Sequence, residues 1–142
     1  MLDQEAHFLL LRAFHHSHKY ITKRTQELGL FPGQPKILEY LLEHEGCIAR
    51  DICEDCVLDK STMTSLLTRM ERQGLVAREE SSADRRATFL HLTEQGRDMA
   101  LAVKTIFRAA DDQALQGVPE EERQTLIRLL QTVISNLEEE AE

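Results

Sequence analysis

Met63, Leu66, Leu67 and Met70 recur at intervals of three, one and three, the spacing of one face of an α-helix. Asp59 stands where an N-cap belongs and Gly74 where a left-handed stop belongs, so a helix is predicted over residues 59–73. After it the period changes. Val76 and Ala77 open a strand, and residues 88–92 alternate, with Leu90 and Leu92 on one side and Phe89 and His91 on the other. The polar, turn-prone run between them makes the pair a β-hairpin. The same punctuation orders the rest of the chain. Residues 3–28 read as a helix with Leu10, Phe14, Ser17 and Ile21 on one side, ended by Gly29. Pro32, Gly33, Gln34 and Pro35 form a turn into a second helix near residues 34–44, whose apolar set is Ile37, Leu38, Leu41 and Leu42 and whose stop is Gly46. A short helix over residues 49–56 packs Ile52 and Cys53 inward. Thr93 caps a long helix to about residue 116, Gly117 breaks it, and Pro119 opens a last helix. The chain is therefore mainly α, of the α+β kind.

The helix over residues 59–73 has an unusual outer face. At 100° per residue, Ser61, Ser65, Thr68 and Arg72 point away from the apolar stripe, and Thr62, Thr64 and Arg69 flank it. A face meant only for solubility would carry Glu and Lys, which favour helix more than Ser and Thr do. Short hydroxyls approach phosphates and base edges closely, and arginine forks onto guanine or phosphate. The hairpin tip adds Asp84, Arg85 and Arg86. Two guanidinium groups at a loop tip suit a narrow minor groove, where the negative potential is deepest. Asp84 can hold one of them by a forked pair and so orient it. A rod of hydroxyls and arginine beside a basic finger reads as a DNA-binding surface.

Three segments carry a family resemblance: GLFPGQPKILEYLLEHEG (29–46), LDKSTMTSLLTRMERQGLVARE (58–79) and DRRATFLHLTEQG (84–96). The chain resembles the multiple-antibiotic-resistance regulator (MarR) family of winged-helix transcription factors over roughly residues 25–100. Asp84 and Arg86, followed by Leu92, Thr93 and Gly96, are the most specific match. The resemblance implies a single domain over residues 1–142, with a winged helix-turn-helix lobe at 30–100 and dimerisation helices at 1–28 and 101–142. It implies an obligate homodimer that binds a pseudo-palindromic site on double-stranded DNA, usually to repress transcription. Release would follow from a small aromatic or phenolic effector, from an oxidant or, less often, from a metal. On this reading Ser61, Thr62, Thr64, Ser65, Thr68 and Arg69 face the major groove, Arg85 and Arg86 enter the minor groove, and Asp84 supports the wing. Phe14, His18 and Tyr40 line the effector pocket. Ser65 stands where many members carry arginine, and Arg50 supplies a phosphate contact instead.

Charge distribution bears on that reading. The net charge is −8, against the usual basic balance of DNA-binding proteins. Residues 59–86, however, carry six basic and five acidic side chains, whereas residues 111–142 carry two basic and nine acidic ones. Within a Debye length of about 8 Å the local surface dominates, so non-specific binding should be weak and binding strongly salt-dependent. The first and last helices pose a second question. Leu126, Leu129, Leu130, Val133, Ile134 and Leu137 make a stripe too wide for a helix covered on one side. Pairing with a two-fold mate covers it and sets two reading heads side by side. No apolar run is long enough to span a membrane and no signal segment is visible, which predicts a cytoplasmic protein.

The remaining chemistry is reactive only in principle. His44, Cys47, Cys53 and Cys56 lie within 13 residues and have the types for a zinc site. Cys53 and Cys56 fall on packing positions, where free cysteine behaves as a small apolar group, so inert packing is expected. A thiol- or metal-responsive regulator using Cys47, Cys53 and Cys56 stays open as an alternative, as does a protein-interaction module on the same scaffold. The family's oxidant-sensing cysteine near the N-terminus has no counterpart, since residues 1–46 contain no cysteine. His15, His16 and His18 cluster on the first helix, with His15 and His18 on one face. No nucleophile–base constellation and no phosphate loop points to an enzyme. No cofactor or metal is expected.

Overall fold

A computed structural model of the protein describes residues 1–80, 83 and 88–141. After a 3-10 turn (Leu2–Gln4) come α1 (Ala6–Gln26), α2 (Gln34–Glu43), α3 (Ala49–Asp55), α4 (Lys60–Arg72), β1 (Val76–Glu80), β2 (Thr88–Leu92), α5 (Glu94–Ala114) and α6 (Glu120–Ala141). The order is the one read from the sequence. The first helix is shorter than expected, because Glu5 is extended and separates the opening turn from α1. The chain divides into two compact units, Met1–Ala110 and Asp111–Glu142.

The first unit is built around α4. Its four apolar residues, Met63, Leu66, Leu67 and Met70, are all buried. They meet Ile37, Leu38 and Leu41 of α2, Ile52 of α3, Leu90 of β2 and Val103 of α5 in one continuous core. The strands pair antiparallel, with Val76 opposite Leu92 and Glu80 opposite Thr88. The free edge of β2 does not stay free. Gly46 N donates to Leu90 O and Leu90 N donates to Cys47 O, both at 2.8 Å, so the α2–α3 turn adds a short third rung. The root of the hairpin is thereby fixed on both sides.

The junction of α4 and α5 is tighter still. Thr93 N and Thr93 Oγ1 donate to the carbonyls of Leu75 and Gly74 at 3.1 and 2.6 Å, and Gly96 N donates back to Thr93 Oγ1 at 2.9 Å. One threonine thus caps α5 and ties its start to the end of α4. A Cβ on Gly96 would lie 1.9 Å from the Leu75 carbonyl oxygen, so only glycine allows this approach.

The second unit is largely α6. Arg123 Nη1 bonds Asp112 Oδ1 at 3.1 Å, tying the start of α6 back across its turn. Glu120, Glu121 and Glu122 sit in the first turn of α6, where the helix dipole favours anions. Leu126, Leu129, Leu130, Ile134 and Leu137 stay exposed. Among the described residues, no helix is long and apolar enough to cross a membrane.

Candidate nucleic-acid interface

The outward face of α4 is organised before any ligand arrives. Asp59 caps the helix by accepting from Thr62 N at 2.7 Å, and its carboxylate also accepts from the hydroxyls of Ser61 and Thr62, both at 2.8 Å. These donors, the Thr62 amide above all, hold the Asp59 carboxyl down at about pKa 2. Thr64 and Thr68 donate their hydroxyls to the carbonyls of Lys60 and Thr64, each at 2.9 Å. All of these side chains, and Ser65 with them, are exposed. The face therefore offers hydroxyl lone pairs and threonine methyls in fixed positions.

Arg69 is held as well. Its guanidinium carbon lies 4.2 Å from the centre of the Phe31 ring, a cation–π contact between α4 and the loop before α2. Beneath it, fully buried Gln34 accepts from Phe31 N at 3.1 Å and donates to Gln73 Oε1 at 2.9 Å. This polar tie between α2 and the C-terminus of α4 was missed from the sequence, where Gln34 reads as a turn residue. Glu71 pairs with Arg78, linking α4 to β1.

Arg50 lies on α3 at the rim of a cavity of about 380 Å³ that is floored by Met63 and Leu67. Lys60, Thr64 and Arg78 share that rim. The structure thus brings Arg50 and Thr64 together with two further cations, Lys60 and Arg78. Asp84, Arg85 and Arg86 lie outside the described residues.

The expected effector pocket divides. Phe14 and Tyr40 line one cavity of about 530 Å³, together with His44, Asp55, Cys56 and Lys104. Tyr40 stacks on His44 with ring centres 4.1 Å apart, and its hydroxyl donates to Asp55 Oδ2 at 2.6 Å, which pushes the phenol pKa up. Lys104 on α5 is paired to Glu39 at 3.0 Å. His18 does not line this cavity. It stacks on Phe14 one turn away, with ring centres 5.4 Å apart, and lines a groove along α1 with His15, Lys19 and Lys23. Nothing in local spacing could have shown that Lys104 joins Tyr40, since 64 positions separate them.

The three cysteines are free, half-buried and packed against the core. Burial, with Asp51 nearby, pushes the Cys47 thiol up to about 11, and burial raises Cys56 as well. Thiols held protonated are poor nucleophiles and poor metal ligands. Among the described residues, no cluster of three or more metal-ligating side chains occurs.

A helix-turn-helix whose second helix presents hydroxyls and arginine, followed by a clamped hairpin, defines a winged-helix transcriptional regulator. The chain belongs to the MarR family, whose profile matches residues 28–87. It is 34% identical to the organic hydroperoxide resistance transcriptional regulator of Bacillus subtilis over 95 residues, which cover 67% of this chain and 65% of that protein. The fold matches the crystal structure of a MarR-family regulator from Silicibacter pomeroyi with a TM-score of 0.87 at 26% identity, covering 96% of this chain and 92% of that one. It matches CouR of Rhodococcus jostii RHA1, solved with p-coumaroyl-CoA, with a TM-score of 0.82 at 25% identity and 94% coverage of each chain.

Proposed function

We propose that the protein is a homodimeric repressor whose two α4 helices enter successive major grooves of a pseudo-palindromic operator. The observation that carries this reading is the outer face of α4, five exposed hydroxyl residues and an arginine set on four buried apolar side chains. Ser61, Thr62, Thr64, Ser65 and Thr68 contact base edges and phosphates, and Arg69 reaches the DNA from its seat on Phe31. Arg50 binds phosphate. Arg85 and Arg86 enter the minor groove with Asp84 as support. The exposed stripe of α6 and the apolar side of α1 form the contact between the two copies, and the dimer acts on DNA in the cytoplasm.

An aromatic or phenolic effector in the Phe14–Tyr40 cavity releases the operator by preferring a spacing of the two heads that does not fit DNA. The stacked Tyr40–His44 pair offers a flat wall for a planar ring. The Bacillus subtilis relative is named for organic hydroperoxide resistance, but positions 1–46 of this chain hold no cysteine to match the family's N-terminal oxidant sensor.

Selection of genomic fragments with the purified protein tests the reading. Enrichment of one inverted-repeat sequence, with affinity falling steeply as salt rises, is the expected result. Binding without sequence preference would overturn it. On the selected operator, Arg69→Ala and Arg86→Ala should each cost about 1–3 kcal/mol. Unchanged affinity would remove that residue from the interface.

A further inference from the structure

Phe31 and Arg69 belong to a closed circuit of contacts at the edge of α4. Gln34 holds the backbone of Phe31 from both sides: its side-chain Oε1 accepts from Phe31 N, and its own amide donates to Phe31 O, each at 3.1 Å. Gln34 Nε2 donates to Gln73 Oε1 at 2.9 Å, and Gln73 N donates to Arg69 O at 3.0 Å. The Arg69 guanidinium closes the circuit over the Phe31 ring, 4.2 Å from its centre. Gln34 is fully buried, so the seat is anchored in the core while Arg69 itself is exposed.

The chemistry of the seat matters. A carboxylate would also orient a guanidinium, but it would occupy N–H donors and cancel the charge before DNA arrives. A phenyl ring has no acceptor atom, so the five donors and the positive charge stay available. Among the described residues Arg69 has no carboxylate partner, whereas Arg78 is paired with Glu71. Arg72, one turn further along α4, is exposed and has neither a ring nor a carboxylate among the described residues. An arginine free to sample rotamers meets any nearby phosphate, whereas one held in place presents its fork to a single base edge. We infer that Phe31 is a positioning residue for base readout: its ring aims Arg69 at one guanine in each half of the operator. The inference rests on the reading of α4 as the helix that enters the major groove.

Selection of operator variants with wild type, Phe31→Leu, Phe31→Tyr, Arg69→Ala and the double variant Phe31→Leu/Arg69→Ala tests this. Arg69→Ala should lower the preference for guanine at one position of each half-site by about tenfold or more. Phe31→Leu keeps an apolar side chain without a ring, and should lower the preference at that same position by about threefold. Affinity for non-operator DNA should stay as in wild type, and Phe31→Tyr should keep the full preference. In the Arg69→Ala background, Phe31→Leu should change nothing further. Phe31 is 46% exposed, so these replacements leave the core intact. In the DNA-free protein, ring current should move the Arg69 side-chain protons upfield, and Phe31→Leu should abolish that shift. Wild-type base preference in Phe31→Leu, the same loss with and without Arg69, or a tyrosine variant that behaves like the leucine one would overturn the inference. So would a loss shared equally by operator and non-operator DNA, which would make Phe31 a support of the fold, and so would an Arg69→Ala loss of affinity without a change in base preference, which would make Arg69 a phosphate contact. Failure of the underlying reading looks different: Arg69→Ala then leaves operator affinity and base preference untouched, although the ring-current shift persists.

Discussion

The DNA-binding lobe and the last helix place similar leucines in opposite situations. Ile37, Leu38, Leu41, Met63, Leu67 and Met70 are at most 2% exposed, whereas Leu126, Ile127, Leu129, Leu130, Ile134 and Leu137 are 37–64% exposed. Both sets recur at helical spacing. The lobe closes its core with elements drawn from within about 75 residues, and polar ties such as Gln34–Gln73 and Thr93–Gly74 fix their angles. The apolar side of α6 has no such closure. Burying a side chain of this size is worth roughly 1.5–3 kcal/mol, a contribution that a second copy covering α6 supplies in the proposed dimer. The lobe closes its own core, and α6 leaves its apolar side exposed.

The largest test of that contrast is at Gly96. Alanine normally stabilises a helix relative to glycine, but here its Cβ would meet the Leu75 carbonyl. Gly96→Ala should cost about 3 kcal/mol or more in urea unfolding, and an unchanged midpoint would show that α5 can lift from α4 freely. On the other side of the comparison, Leu130→Asp/Ile134→Asp should raise the dimer dissociation constant at least about 100-fold, or about 2.7 kcal/mol, in sedimentation. The far-UV spectrum of the lobe should survive. A dimer that persists would place the contact elsewhere.

Two smaller effects sharpen the picture within the lobe. Val57 has a φ of 55° in the turn between α3 and α4 and is 84% exposed, so a β-branched residue sits in the left-handed region without packing in return. Val57→Gly should raise stability by about 1 kcal/mol, and a loss would show that the side chain has a partner. Asp59 gives a pH signature. Its carboxyl is lower in the folded protein, near 2, than its ordinary 3.8. Its contribution is complete above that ordinary value and is lost as the pH falls toward 2. The difference in melting temperature between wild type and Asp59→Ala should therefore shrink between pH 4 and pH 2. A constant difference would mean that the cap does not act through the carboxylate.

Periodicity and glycine stops were enough to read α4 and the hairpin to within a residue or so, since Asp59, Gly74 and the Met63–Met70 stripe are local signals. The polar face of α4 was readable for the same reason. What local spacing could not carry is contact across the chain. Gln34 is polar yet fully buried, because its partners are supplied by Phe31 and Gln73. The Cys47–Leu90 rung joins residues 43 positions apart. His18 was placed in the effector pocket by family resemblance alone, with no spacing to single it out, and it lines the α1 groove instead of the Phe14–Tyr40 cavity.

The Thr93 tie has a mechanical consequence. With α5 some 30 Å long and its base locked to the end of α4, the pair behaves as a crank. A sideways swing of about 2 Å at the far end of α5 turns the base by about 4°, and α4 must follow. On the proposed reading of α4 as the helix that enters the groove, a turn at this base would carry its reading face with it.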